Sequence, residues 1–179
     1  MKWIAIIIAV VCINAQAREQ TSAFGYLTNL VSYNDMEPAL QVGDRVASDP
    51  DHYKNNDIKR GNIVLIISLK KDGTNWVKRV VGLPGELVES NKGKIYINGT
   101  ELVEPYVEET NNQGISLSLK KAHKVPENHF YVLGDNRDNS MDSRFLGPVS
   151  RENIIAKVVS IYLSPNISRI GRIVEPTYP

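Results

Sequence analysis

The chain has 179 residues, with 21 Lys+Arg against 20 Asp+Glu, 42% hydrophobic residues and a single cysteine. That length suits one ordinary domain. A net charge of +1 excludes a strongly basic nucleic-acid-binding protein. Cys12 alone excludes a disulfide framework or a cysteine-based zinc site, and His52, His123 and His129 are too dispersed for a histidine-rich metal centre. No metal, cofactor or nucleic-acid partner is expected.

Residues 1–17 open the chain with Lys2, an apolar run from Trp3 to Ile13, and the small-x-small pattern Ala15-Gln16-Ala17. These are the parts of a secretory signal peptide, and the run is short for a membrane-spanning helix. A cleaved leader is the first reading and a short uncleaved anchor the alternative. Either places residues 18–179 outside the cytoplasm. Cleavage after Ala17 removes the lone cysteine and leaves a neutral, thiol-free domain.

Residues 18–32 are mixed and weakly patterned. From Leu40 onward, short apolar runs bounded by turn formers predict a strand-rich chain. Asn62 to Ser68 reads as a buried strand and Trp76 to Val81 as its partner, joined through the Asp-Gly turn in 70–75. Lys94 to Ile97 followed by Asn98-Gly99 reads as a second hairpin. His129 to Leu133 and Ile154 to Leu163 are two more strands, and Ser150 is placed to cap a turn of helix through Asn153. The polar stretch 101–127 reads as an extended insertion.

Three segments stand apart from this pattern. They are Asp35 to Leu40 with the following Val42-Gly43-Asp44-Arg45-Val46, Val77 to Glu86, and Gly134 to Arg144. Taken alone, Lys78 reads as an exposed lysine alternating with Val77 and Val80; the other reading is a lysine held out of water that serves as a general base. The third segment has the acidic and Asn content of a calcium loop. Arg137 in a ligand position and no glycine at the sixth place reject an EF-hand.

Together, and in this order, the segments resemble the bacterial type I signal peptidases, Ser/Lys endopeptidases that remove leaders from exported proteins. Met36, Pro38, Gly43 and Asp44 match the first motif, Arg60 to Val64 the strand that follows, Lys78-Arg79 with Gly82 to Gly85 the lysine motif, and Gly134 to Arg144 the last. The resemblance implies a mainly β fold of antiparallel sheets with a small inserted β excursion. It implies leader peptides of exported preproteins, or other extended peptides, as partners, and work at a membrane surface on the outer face of the cytoplasmic membrane, in the periplasm or beyond. Lys78 is then the general base and Ser140 the hydroxyl that orients it. Arg79, Gly134, Asp135, Asn136, Asp142 and Arg144 support them, with Asp142 and Arg144 as an ion pair.

The nucleophile position departs from the family. It precedes Met36 and holds Asp35 in place of serine, and Tyr33 stands where a second serine helps bind the oxyanion. A carboxylate beside Lys78 favours the ammonium, which accepts no proton. Loss of a serine nucleophile costs about 10⁶ in kcat. The expectation is a leader-recognising protein of impaired catalysis. The alternatives are an active peptidase, with Ser32 as substitute nucleophile or with Asp35 and Lys78 acting through a bound water, a non-catalytic binding or assembly factor for exported proteins, or a degenerating paralogue with no activity.

Overall fold

The computed structural model describes residues 25–67, 75–113 and 122–172. The leader or anchor expected at 1–17 and the turn expected at 70–75 lie outside the described residues, apart from Asn75. The described residues form two antiparallel sheets. The larger holds seven strands in the order β1-β2-β11-β3-β4-β9-β10. These are β1 (Leu27–Leu30), β2 (Arg45–Asp49), β3 (Ile63–Ile67), β4 (Asn75–Gly82), β9 (His129–Leu133), β10 (Val149–Ser150) and β11 (Ile154–Leu163). The smaller holds β7 (Thr100–Glu101), β6 (Lys94–Ile97), β5 (Leu87–Asn91) and β8 (His123–Lys124), in that order. It draws on β5 and β6 as well as the polar stretch, so the second sheet starts earlier than the insertion expected at 101–127.

The centre of the large sheet follows from composition. Ile63-Val64-Leu65-Ile66 are all buried, and β-branched side chains suit a pleated surface covered on both sides. Each contributes roughly 2 kcal/mol of apolar transfer energy. β3 pairs with β4 so that Val64 lies opposite Lys78 and Ile63 opposite Arg79. From Lys78 to Gly82 every residue of β4 is buried, so Lys78, 2% exposed, is not the alternating surface lysine its flanks suggest.

Three apolar clusters fill the interior. One packs Val64, Ile66, Val80, Phe130 and Ile154. A second gathers Val31, Met36, Leu40, Ile63 and Ile161 beneath the Asp35 segment. The third joins the sheets through Val81, Tyr131 and Leu133 on one side and Val88, Ile95 and Ile97 on the other. Asn98 (φ 50°) and Gly99 (φ 81°) turn between β6 and β7 with both residues in the left-handed region, as a two-residue hairpin of Asn-Gly requires. Ser150 Oγ accepts from Glu152 N at 3.4 Å and opens the single helical turn Arg151–Asn153. Among the described residues, edge strand β1 shows no alternation and pairs with β2 alone, and for that reason Leu27–Leu30 carried no strand signal.

Candidate active site

The Asp35 segment is a loop closed at its base. Val31 N donates to Asp44 O at 2.8 Å and Gly43 N to Val31 O at 2.9 Å. Met36 and Leu40, both fully buried, anchor it, and Leu40 N donates to Met36 O at 2.8 Å. Asp44 is 1% exposed and accepts from Gln41 N at 2.9 Å and from Arg169 Nη2 at 2.7 Å; Arg169 Nη2 also reaches Ala39 O at 2.9 Å. Burial pushes the Asp44 carboxyl up, and Arg169, the Gln41 amide and Ser164 more than offset it, leaving it below its ordinary 3.8.

Lys78 projects from β4, and its Nζ donates to Asp35 Oδ2, with 3% and 22% of the two side chains exposed. The third element is the loop that follows β9. Gly134 sits where a Cβ would collide with Ser140 Oγ and with the backbone carbonyl of Asp35, so only glycine lets the loops meet. Ser140 Oγ is buried and has no hydrogen-bond partner among the described residues, while Lys78 donates to Asp35. An ammonium engaged this way offers no lone pair to a hydroxyl or a water. Ser32 and Tyr33 are exposed, Tyr33 at 72%.

Three asparagines tie the loops together. Asn136 N donates to Asp35 O at 3.1 Å, Asn136 Nδ2 to Asn34 O at 3.1 Å, and Asn139 Nδ2 to Asn34 Oδ1 at 2.7 Å. Behind them Asp142, 1% exposed, accepts from Gly134 N at 3.0 Å and twice from the Arg144 guanidinium, at 2.7 Å each. Arg144 Nη1 adds a bond to Arg137 O at 2.6 Å. Arg79 engages Asp135 with two bonds, 2.8 and 2.6 Å, and donates to Gly61 O at 2.9 Å. Asp135 is fully buried; burial pushes its carboxyl up, and the permanently cationic guanidinium opposes that.

Sequence reasoning did not single out Asn34, Glu104, Tyr106, Asn139 or Arg169, and met Arg137 only as a wrong calcium ligand. Arg137 is fully buried, donates Nε to Gly134 O at 3.0 Å and forms a bidentate pair with Glu104. Burial pulls this guanidinium down, and Glu104 more than reverses it. Tyr106 donates to Glu104 Oε1 at 2.8 Å, and its ring lies 4.0 Å from the Arg79 guanidinium carbon. The polar stretch thus braces the back of the site. No motif marked Glu104 or Tyr106. Asn139 and Arg137 lay inside the last motif, where a buried arginine between acidic residues signals a partner elsewhere. Among the described residues, no cluster of His, Cys, Asp or Glu is placed to hold a metal, and no helix is long and apolar enough to cross a membrane.

The chain is similar to known proteins of one family. It is 37% identical over 148 residues to signal peptidase I of Leptolyngbya laminosa, covering 79% of this chain and 70% of that one. It is 34% identical over 159 residues to signal peptidase I of Bacillus licheniformis, covering 86% and 83%. A crystal structure of a signal peptidase I from Enterococcus faecalis V583 aligns with a TM-score of 0.49 at 31% identity, covering 58% of this chain and 98% of that one. The model of the family described as "Signal peptidase, peptidase S26" matches residues 1–163, a span that holds all three loops of the site. The chain belongs to that family.

Proposed function

We propose that the protein recognises leader peptides of exported preproteins, at or beyond the outer face of the bacterial cytoplasmic membrane, and does not cleave them by the serine route of its relatives. One observation carries the reading: Lys78 Nζ donates to Asp35 Oδ2, so the residue in the nucleophile position neutralises the base. Attack by the Asp35 carboxylate on an amide would pass through an anhydride, a poor route beside serine acylation. Asp35, Lys78 and Ser140 are the centre of the site. Tyr33, Met36, Arg79, Gly134, Asp135, Asn136, Asp142 and Arg144 shape it.

The test incubates the purified protein with a preprotein, beside Asp35→Ser, Tyr33→Ser/Asp35→Ser and Asp35→Ser/Lys78→Ala variants. The parent leaves the leader attached while binding it. Asp35→Ser restores cleavage, and adding Lys78→Ala abolishes it. Cleavage by the parent at the rate of its relatives would refute the reading. Binding to the mature part of a preprotein, indifferent to its leader, would favour an assembly factor instead.

A further inference from the structure

Lys78 Nζ and Asp35 Oδ2 are in direct contact, with 3% of the lysine and 22% of the aspartate side chain exposed. Their chain neighbours Val77 and Met36 pack in one apolar cluster with Leu40 and Ile63, so the amine meets the carboxylate at the edge of a dry interior. The backbone that carries the aspartate is held in place. Asn136 N holds its carbonyl at 3.1 Å, and Asn139 holds the preceding Asn34 at 2.7 Å. Beside it lies Ser140 Oγ, buried, without a hydrogen-bond partner among the described residues, and sharing with the Asp35 carbonyl the space that a Gly134 Cβ would take.

We infer that this pair is a self-modification site: Lys78 and Asp35 condense into an Nζ–Cγ isopeptide bond. The reaction starts from the neutral pair, reached when the Lys78 ammonium passes one proton to the Asp35 carboxylate it contacts. The amine lone pair then attacks Asp35 Cγ. The Nζ–Cγ bond forms, and a Cγ–O bond breaks, its electron pair leaving with the oxygen. A proton from Nζ joins the departing hydroxyl, so one water is released and nothing is oxidised or reduced. The exposed side of Asp35 gives the water its exit. Effective molarities of about 10⁵–10⁸ M between well-oriented groups supply the drive that free amine and acid lack in solution.

The inference deepens the reading above, because an amide nitrogen is permanently removed from proton transfer. Its readout is a mass and not an activity, so the two fail separately. Intact mass spectrometry of the full chain, denatured after purification, is expected to show a species lighter by one water. Its tryptic map is expected to join the peptide ending at Arg45 to one ending at Arg79, since cleavage after Lys78 is blocked. A succinimide at Asp72-Gly73 has the same mass loss but leaves Asp35 and Lys78 in separate peptides. Lys78→Ala and Asp35→Ala each abolish the linked peptide, whose appearance is followed in a time course from freshly made protein. A parent that keeps its full mass and both free peptides after prolonged incubation overturns the inference, even with Lys78→Ala and Asp35→Ala misfolded.

Discussion

Asp44→Asn tests how the loop that carries Asp35 is anchored. Asp44 is 1% exposed and accepts from Arg169 at 2.7, 3.1 and 3.3 Å, while Arg169 is itself 5% exposed. The asparagine keeps the shape and one acceptor but removes the charge, which leaves the guanidinium buried beside a neutral amide. Removing one member of a buried ion pair costs about 3–5 kcal/mol. Arg169 retains its bond to Ala39 O at 2.9 Å, and the lower part of that range applies, about 3 kcal/mol. With a urea slope of roughly 2 kcal/mol per molar, the unfolding midpoint falls by about 1.5 M at neutral pH. The pH dependence supplies a second, independent readout. Asp44 titrates below its ordinary 3.8 in the folded chain. Its contribution is therefore complete above the unfolded value and is lost as pH falls through the folded one. Urea melts of parent and variant should differ at pH 7 and converge in acid below the folded value. A difference of the same size at both pH values, or none at pH 7, would refute the argument that the charge holds the loop.

Glu104→Gln leaves fully buried Arg137 without its carboxylate and is expected to cost about 3 kcal/mol in chemical unfolding. In the same experiment Lys94→Ala, which breaks a solvent-exposed pair with Glu101, should leave the midpoint unmoved. Gly82→Ala places a Cβ 2.6 Å from Val88 Cγ2 and 2.9 Å from Tyr131 Cβ, where the two sheets meet, and should lower stability by about 1–3 kcal/mol in thermal melts. Tyr131→Phe should be neutral or raise stability by up to about 1 kcal/mol, because the hydroxyl is buried without a partner. Marked destabilisation by Tyr131→Phe would reveal a bond to that hydroxyl.

How legible each feature was depended on whether its cause was local. The Asn98-Gly99 hairpin, the buried run Ile63–Ile66 and the Ser150 cap follow from a few adjacent residues, and each is where local chemistry puts it. β1 exists because β2 offers it a partner, a non-local cause that leaves no periodicity in Leu27–Leu30. Lys78 shows the limit of pattern reading. Alternation argues for an exposed lysine, yet β4 is covered on both faces, and only the surrounding motif pointed the other way. The ion pairs Arg79–Asp135 and Asp142–Arg144 join residues within the matched segments. The Glu104–Arg137 and Asp44–Arg169 pairs each reach a residue outside them, and no spacing rule links residues 33 or 125 positions apart.

The bonds that place the nucleophile segment do not involve the side chain at position 35. Asn136 binds the backbone carbonyl of Asp35, Asn139 binds Asn34, and Met36 and Leu40 supply the apolar anchors. Asp35→Ser therefore changes the chemistry of the site while leaving its backbone placement intact. Without the carboxylate, the buried Lys78 amine loses its charge partner. Burial without a counter-charge favours the neutral amine, the form a serine hydroxyl needs as its base. On the proposed reading, Tyr33 still withholds the second oxyanion donor, a loss worth about 10²–10³ in kcat. Cleavage by Asp35→Ser should accordingly be slower than that by Tyr33→Ser/Asp35→Ser by about that factor. Equal rates would mean that the exposed Tyr33 position contributes nothing to the oxyanion, and that Asp35 alone separates this chain's chemistry from that of its relatives.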